Sequence, residues 1–310
     1  MRIPLLAVAV AVAFLCITLS PPGGLAQSPG GSTTSLAPPI VFQGPWLVKG
    51  TVIESHTSIV VGAGITVASG GTLELDSVTL EMNESKNLAE GVVVRSGGTL
   101  IATNLTLRSS NPAYHTYLRE STGGMLRIDG GELEDLGGNS GGEFGVTIGT
   151  ADSSITNVTF DHYYEAVHIN GAANVTLSGI TVLNSTAGNS TYAVSVTGGS
   201  DHFRLLNSRF DIPQDVGALN LNDPGAIVTG NVFDLDAQGT QIKPIDLGCS
   251  NDGLENASEL LFANNTVTGA GVVQEAGSNV NISGNTIANT GPNRPYGILA
   301  GVPRNLGSER

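Results

Sequence analysis

Apolar residues recur along this chain in one arrangement: apolar, any, apolar, any, any, apolar, any, apolar. It is filled by Leu73, Leu75, Val78 and Leu80, then by Leu100, Ala102, Leu105 and Leu107. Ser153, Ile155, Val158 and Phe160 repeat it, as do Val175, Leu177, Ile180 and Val182. Relaxed copies start at Phe203, Ala226, Leu260 and Val280, with Ser208, Asn231, Asn265 and Asn285 in the third apolar place. A weaker copy starts at Leu126 and has Gly131 there. Two alternating pairs set two residues apart cannot share one face of a helix, whereas alternation is what a strand with one buried side requires. Each copy therefore predicts strand, two-residue corner, strand.

The second corner residue runs Ser77, Asn104, Gly130, Asn157, Gly179, Asn207, Gly230, Asn264, Gly284. Glycine and asparagine adopt a positive φ at little cost, so the column predicts one left-handed bend per copy. A further short alternating strand precedes most copies: Ile65 to Val67, Val92 to Val94, Val146 to Ile148, Val167 to Ile169, Val194 to Val196, Leu219 to Leu221 and Ile245 to Leu247. Three strands per repeat close a rung, and rungs stack as parallel sheets. The predicted fold is an all-β parallel β-helix solenoid of about ten three-strand rungs.

These corners and rungs over residues 41–303 resemble the right-handed parallel β-helix superfamily, which includes pectate lyases, polygalacturonases and copper-associated accessory proteins of nitrous-oxide reduction. The handedness is what the resemblance implies. It also implies a cleft along the first strand and the variable loops that enter it. The scaffold carries many activities, so the fold does not name one.

The ends set the compartment. Met1-Arg2 and the apolar run from Ile3 to Leu19 form a secretory signal, with small residues before Gln27 for cleavage; the alternative is an uncleaved N-terminal anchor. The division is a signal peptide over 1–26, a Ser/Pro/Gly-rich linker over 27–40, the β-helix domain over 41–303 and a tail over 304–310. Cys16 falls in the signal, which leaves Cys249 alone and predicts no intrachain disulfide. A net charge of -14 opposes nucleic acid and anionic membrane as partners. No membrane insertion of the mature chain is expected, and the localisation read here is secreted or cell-surface.

The outward residues of the first strands are Thr66, Val93, Thr147, His168, Ser195, Asn220 and Asp246. Beside this column the loop Asp161, His162, Tyr163, Tyr164, Glu165 supplies two acids, an imidazole and two rings, and Lys243 precedes Asp246. Rings with nearby hydrogen-bonding groups suit a sugar face. The candidate binding set is thus Asp161, His162, Tyr163, Tyr164, Glu165, His168, Asn220, Lys243 and Asp246. The rival reading is a solvated loop whose tyrosines cap a rung.

Catalysis has less support. Glycoside hydrolysis takes two facing carboxylates, and Asp246 has no second acid in its column. The Asn-x-Asp, Asp-Asp, Gly-His-Gly and Arg-x-Lys pattern of polygalacturonases is missing, as are the first-strand aspartates of calcium-dependent pectate lyases. No catalytic residue, metal ligand or cofactor is assigned. Nine N-x-[ST] sequons occur, of which the loop positions Asn83, Asn184, Asn189 and Asn256 are the glycosylation candidates. The reading is a non-catalytic β-helix presenting a loop-decorated edge to extracellular polysaccharide or a cell-surface protein. Its alternatives are a diverged polysaccharide lyase or hydrolase and a structural envelope component that forms homo-oligomers through its rung ends.

Overall fold

The computed structural model describes residues 38–138, 144–187, 191–213, 216–235, 244–248, 258–274, 279–288 and 297–300. The signal, the linker up to residue 37, Lys243, Cys249, Asn189, Asn256 and the tail lie outside the described residues. Within them the chain is a parallel β-helix. Eleven first strands, from Trp46–Val48 to Ile298–Ala300, stack into one sheet in chain order. The second and third strands of each rung form the other two faces. They count as one sheet because Thr99–Ser109, Met125–Leu136 and Ser154–Tyr163 run through the corner without a break.

All nine corner residues read from sequence have positive φ, between 49° at Asn207 and 77° at Gly130. A tenth, His56 at 51°, begins the column in the rung built from Thr51–Ser55 and Ser58–Val61. From Asn104 onward the column alternates strictly, Asn then Gly, through Gly284. The reason is steric. A Cβ on Gly130, Gly179, Gly230 or Gly284 would lie 2.4 to 2.7 Å from the Oδ1 of Asn104, Asn157, Asn207 or Asn264 on the rung before. Each amide occupies the space that the next corner leaves empty. The same device recurs at the first-to-second-strand turn, where a Cβ on Gly97 or Gly123 would meet Ser69 or Ser96 Oγ at 2.7 and 2.6 Å.

The interior is continuous and apolar, built from the repeat positions of all three faces. Phe210 and Phe233 stack inside at 4.8 Å, and Phe233 and Phe262 at 6.2 Å. Toward the C-terminus one inward column becomes polar. Asn231 Oδ1 accepts from Ser208 N at 2.8 Å, Asn265 Oδ1 from the N and Nδ2 of Asn231 at 3.0 Å, and Asn285 Oδ1 from the N and Nδ2 of Asn265. The Nδ2 groups also donate to Leu205, Val228 and Phe262 carbonyls. The three asparagines thus form a ladder in which each amide bonds a backbone and a side chain at once.

Five carboxyls are buried among the described residues: Glu84, Glu120, Glu165, Asp223 and Asp246. Glu120 accepts from Ser153 Oγ at 2.9 Å, and Glu84 accepts the N–H groups of Ala89 and Glu90 at 3.1 Å. Burial pushes both up to about 7 from an ordinary 4.5. A carboxyl raised in the fold holds its proton more tightly than in the unfolded chain. Its contribution to stability is full below 4.5 and is lost as pH rises through about 7. At Glu120, the more enclosed of the two, the shift is worth about 3 kcal/mol. Thermal melts are therefore expected to show stability falling with pH across that window, and Glu120→Gln to flatten the fall and raise the midpoint on the alkaline side. A midpoint that climbs with pH across it would contradict this.

Candidate functional site

The outward first-strand column is in register as read from sequence. Cα partners run Leu47, Thr66, Val93, Arg119, Thr147, His168, Ser195, Asn220, Asp246, Val273, Leu299. Arg119 was not anticipated, because its strand, Leu118–Glu120, carries two charges and lacks an alternating apolar signature. Rungs in such a stack are about 4.8 Å apart, so side chains in this column repeat at that interval along the axis.

Burial divides the column. Ser195 and Asp246 are 6% and 2% exposed despite pointing outward, whereas Arg119, His168 and Asn220 are part-exposed. At the centre, His168 Nδ1 lies 2.8 Å from Glu165 Oε1. Phe144 stacks on the same imidazole at 4.1 Å with a 20° interplanar angle. The carboxylate and the ring together fix the imidazole plane and leave Nε2 as its free nitrogen. Asn220 Oδ1 accepts from Asn222 Nδ2 at 3.4 Å.

The loop read as a ring platform is rearranged. Asp161, His162 and Tyr163 end the third strand and Tyr164 to Ala166 lead into the first. Tyr163 is a core residue with no exposed surface, so it offers no ring to a ligand. The cause is His162, whose φ of 51° adds a residue to the alternation and turns the next side chain inward. Asp135, φ 54°, does the same one rung earlier for Leu136, the register partner of Tyr163. Asp161 lies on the third-strand face, where it accepts from Asn184 Nδ2 at 2.9 Å. Of the described sequon candidates in loops, Asn83 and Asn184 are both exposed.

Other rings stand where Tyr163 does not. Tyr117, Phe144, Tyr164 and Tyr192 occur at the entry of four consecutive first strands, one per rung, and all four are part-exposed. Glycines make room for two of them. A Cβ on Gly91 would lie 2.7 Å from the Tyr117 ring, and one on Gly217 2.3 Å from Tyr192. Arg119 reaches back over Tyr117, its Cζ 5.8 Å from the ring centroid. The missed sequence signal is a concentration of tyrosine: five of the six fall between 114 and 192.

The third-strand flank is acidic. Glu81, Arg108, Glu134 and Asp161 are neighbours in register, and Arg108 is bonded to Glu81. Glu81, Arg108, Ser109, Ser110, Pro112, Glu134 and Asp135 line a recess of about 250 Å³. Burial, reinforced by Glu134, raises the Glu132 carboxyl, and burial chiefly raises that of Asp135. Among the described residues no three His, Cys, Asp or Glu side chains are grouped to hold a metal ion.

A family model described as a right-handed beta helix region matches residues 144–302, just over half of the chain. No curated protein matches it. Among solved structures, the crystal structure of PfbA, a surface adhesin of Streptococcus pneumoniae, is similar over 80% of this chain and 81% of that one, at 12% identity and a TM-score of 0.48.

Proposed function

We propose a binding role for this chain, which belongs to the right-handed β-helix family: a secreted or surface-tethered, non-catalytic protein that holds extracellular carbohydrate along its first-strand face. The observation that carries this reading is the row of Tyr117, Phe144, Tyr164 and Tyr192, one ring per rung over four rungs. A saccharide chain has apolar C–H faces at regular intervals and hydroxyls around its rim. Rings set one per rung beside a rigid axis suit the first, and Arg119, His168 and Asn220 suit the second. Preorganisation favours binding here, because the rings rest on fixed backbone and lose little freedom when a ligand arrives.

One observation favours a second reading, a diverged lyase or hydrolase: the Glu165–His168 pair is built like an oriented general base. Against it, the column holds Asp246 as its one acid, and that acid is buried.

A glycan array probed with the full chain tests both readings. Binding is expected, and Phe144→Ala and Tyr164→Ala are each expected to weaken it about tenfold. No bound glycan, or binding that neither variant changes, would overturn the first reading. New reducing ends or unsaturated products released from a bound glycan would establish the second.

A further inference from the structure

We propose that the aromatic row selects neutral, hydroxyl-bearing saccharides and rejects polyanionic ones. This rests on the carbohydrate reading above and names its ligand class.

The argument is a count of charges that a ligand on the row would meet. His168 is tied to the buried Glu165. Whether the imidazole carries one proton or two, the pair has a net charge of minus one or zero, so it offers an anion no net attraction. Arg119 is the one cation in the outward column, and its guanidinium lies over Tyr117. Arg108, on the third-strand flank, is bonded to Glu81.

Acids crowd the same edge. Glu90, whose charge is partly offset by Lys86, immediately precedes Gly91, on which the Tyr117 ring is seated. Glu132, Glu134, Asp135 and Asp161 stand on the flank, where burial, reinforced by the neighbouring Glu134 charge, raises the Glu132 carboxyl. A uronate or sulfated chain laid along the rings would add a negative charge every one or two sugars to this field. A neutral chain would bring only hydroxyls, which His168 Nε2 and the Asn220 amide can bond without an ionic partner.

Calorimetry on the full chain separates the outcomes. The probes are neutral gluco-, manno- and xylo-oligosaccharides and oligogalacturonates of matched length, each at low and high salt. Expected is binding of at least one neutral probe, at least about tenfold tighter than the oligogalacturonates, with an affinity that salt leaves unchanged. Glu90→Lys, which reverses a charge beside the row without touching a ring, is expected to narrow the discrimination severalfold and leave the neutral affinity intact. Tighter binding of the uronates, weakened by salt, would overturn the selectivity while leaving the carbohydrate reading standing. Failure of every oligosaccharide of both classes to bind would overturn the carbohydrate reading and the selectivity with it.

Discussion

Replacing Gly131 with valine is expected to destabilise the fold by about 3 to 5 kcal/mol, although valine is what the repeat asks for at that place. The register neighbours of Gly131 are Leu105 and Val158, both buried, so a consensus argument would predict a gain from filling the position. The backbone forbids it. Gly131 has φ 108°, and a Cβ there would stand 2.1 Å from the Leu105 carbonyl oxygen and 2.5 Å from its amide nitrogen. Both contacts are main chain, held by the ladder between Met125–Leu136 and Thr99–Ser109, so neither can yield as a side-chain tip would. Urea denaturation of the variant checks this. A midpoint equal to or above that of the parent would show that the rung can reopen and that the glycine is incidental.

The second large effect is expected at Asn265. Leucine there is close in volume and would suit an apolar interior, yet the substitution is expected to cost about 3 to 4 kcal/mol. Asn265 Oδ1 serves the buried N–H and the Nδ2 of Asn231 in the rung before, while its own Nδ2 donates to the Val228 carbonyl in that rung and to Asn285 Oδ1 in the rung after. Leucine leaves the Asn231 N–H enclosed without an acceptor, because the rungs above and below hold it away from water. The effect should be shared along the stack. Asn231→Leu and Asn265→Leu combined are expected to cost less than their sum, since the first removes the Nδ2 whose acceptor the second takes away. Strict additivity in denaturant melts would mean that the amides act independently and that the ladder is only a coincidence of position.

How much of this was legible follows from which residues must do one thing only. A left-handed corner accepts few residue types, so Asn and Gly disclosed nine bends directly, while His56 hid the tenth because histidine carries no such signal. Its rung was hidden for a related reason. Glu54 and Thr57 stand where later rungs have Leu75 and Val78, and only part of their surface is covered in the terminal rung. The Leu118–Glu120 strand was unreadable because Glu120 points inward, a charge placed where the pattern demands a hydrocarbon.

The site was less legible than the fold. Two facing columns set by register could be read from alternation, but Tyr163 was misplaced by a single unexpected left-handed residue. One such residue reverses every assignment after it until the next turn. The four rings escaped notice because they are 20 to 28 positions apart and reach consecutive rungs only once the coil is wound.

The Asn–Gly alternation at the corners has a consequence for how such a chain can change its length. Because each amide fills the vacancy left by the following glycine, loss or gain of one turn would bring two amides, or two vacancies, into contact. Turns can be added or removed without that mismatch only in pairs, so the heritable unit of this region is twice the unit of its geometry.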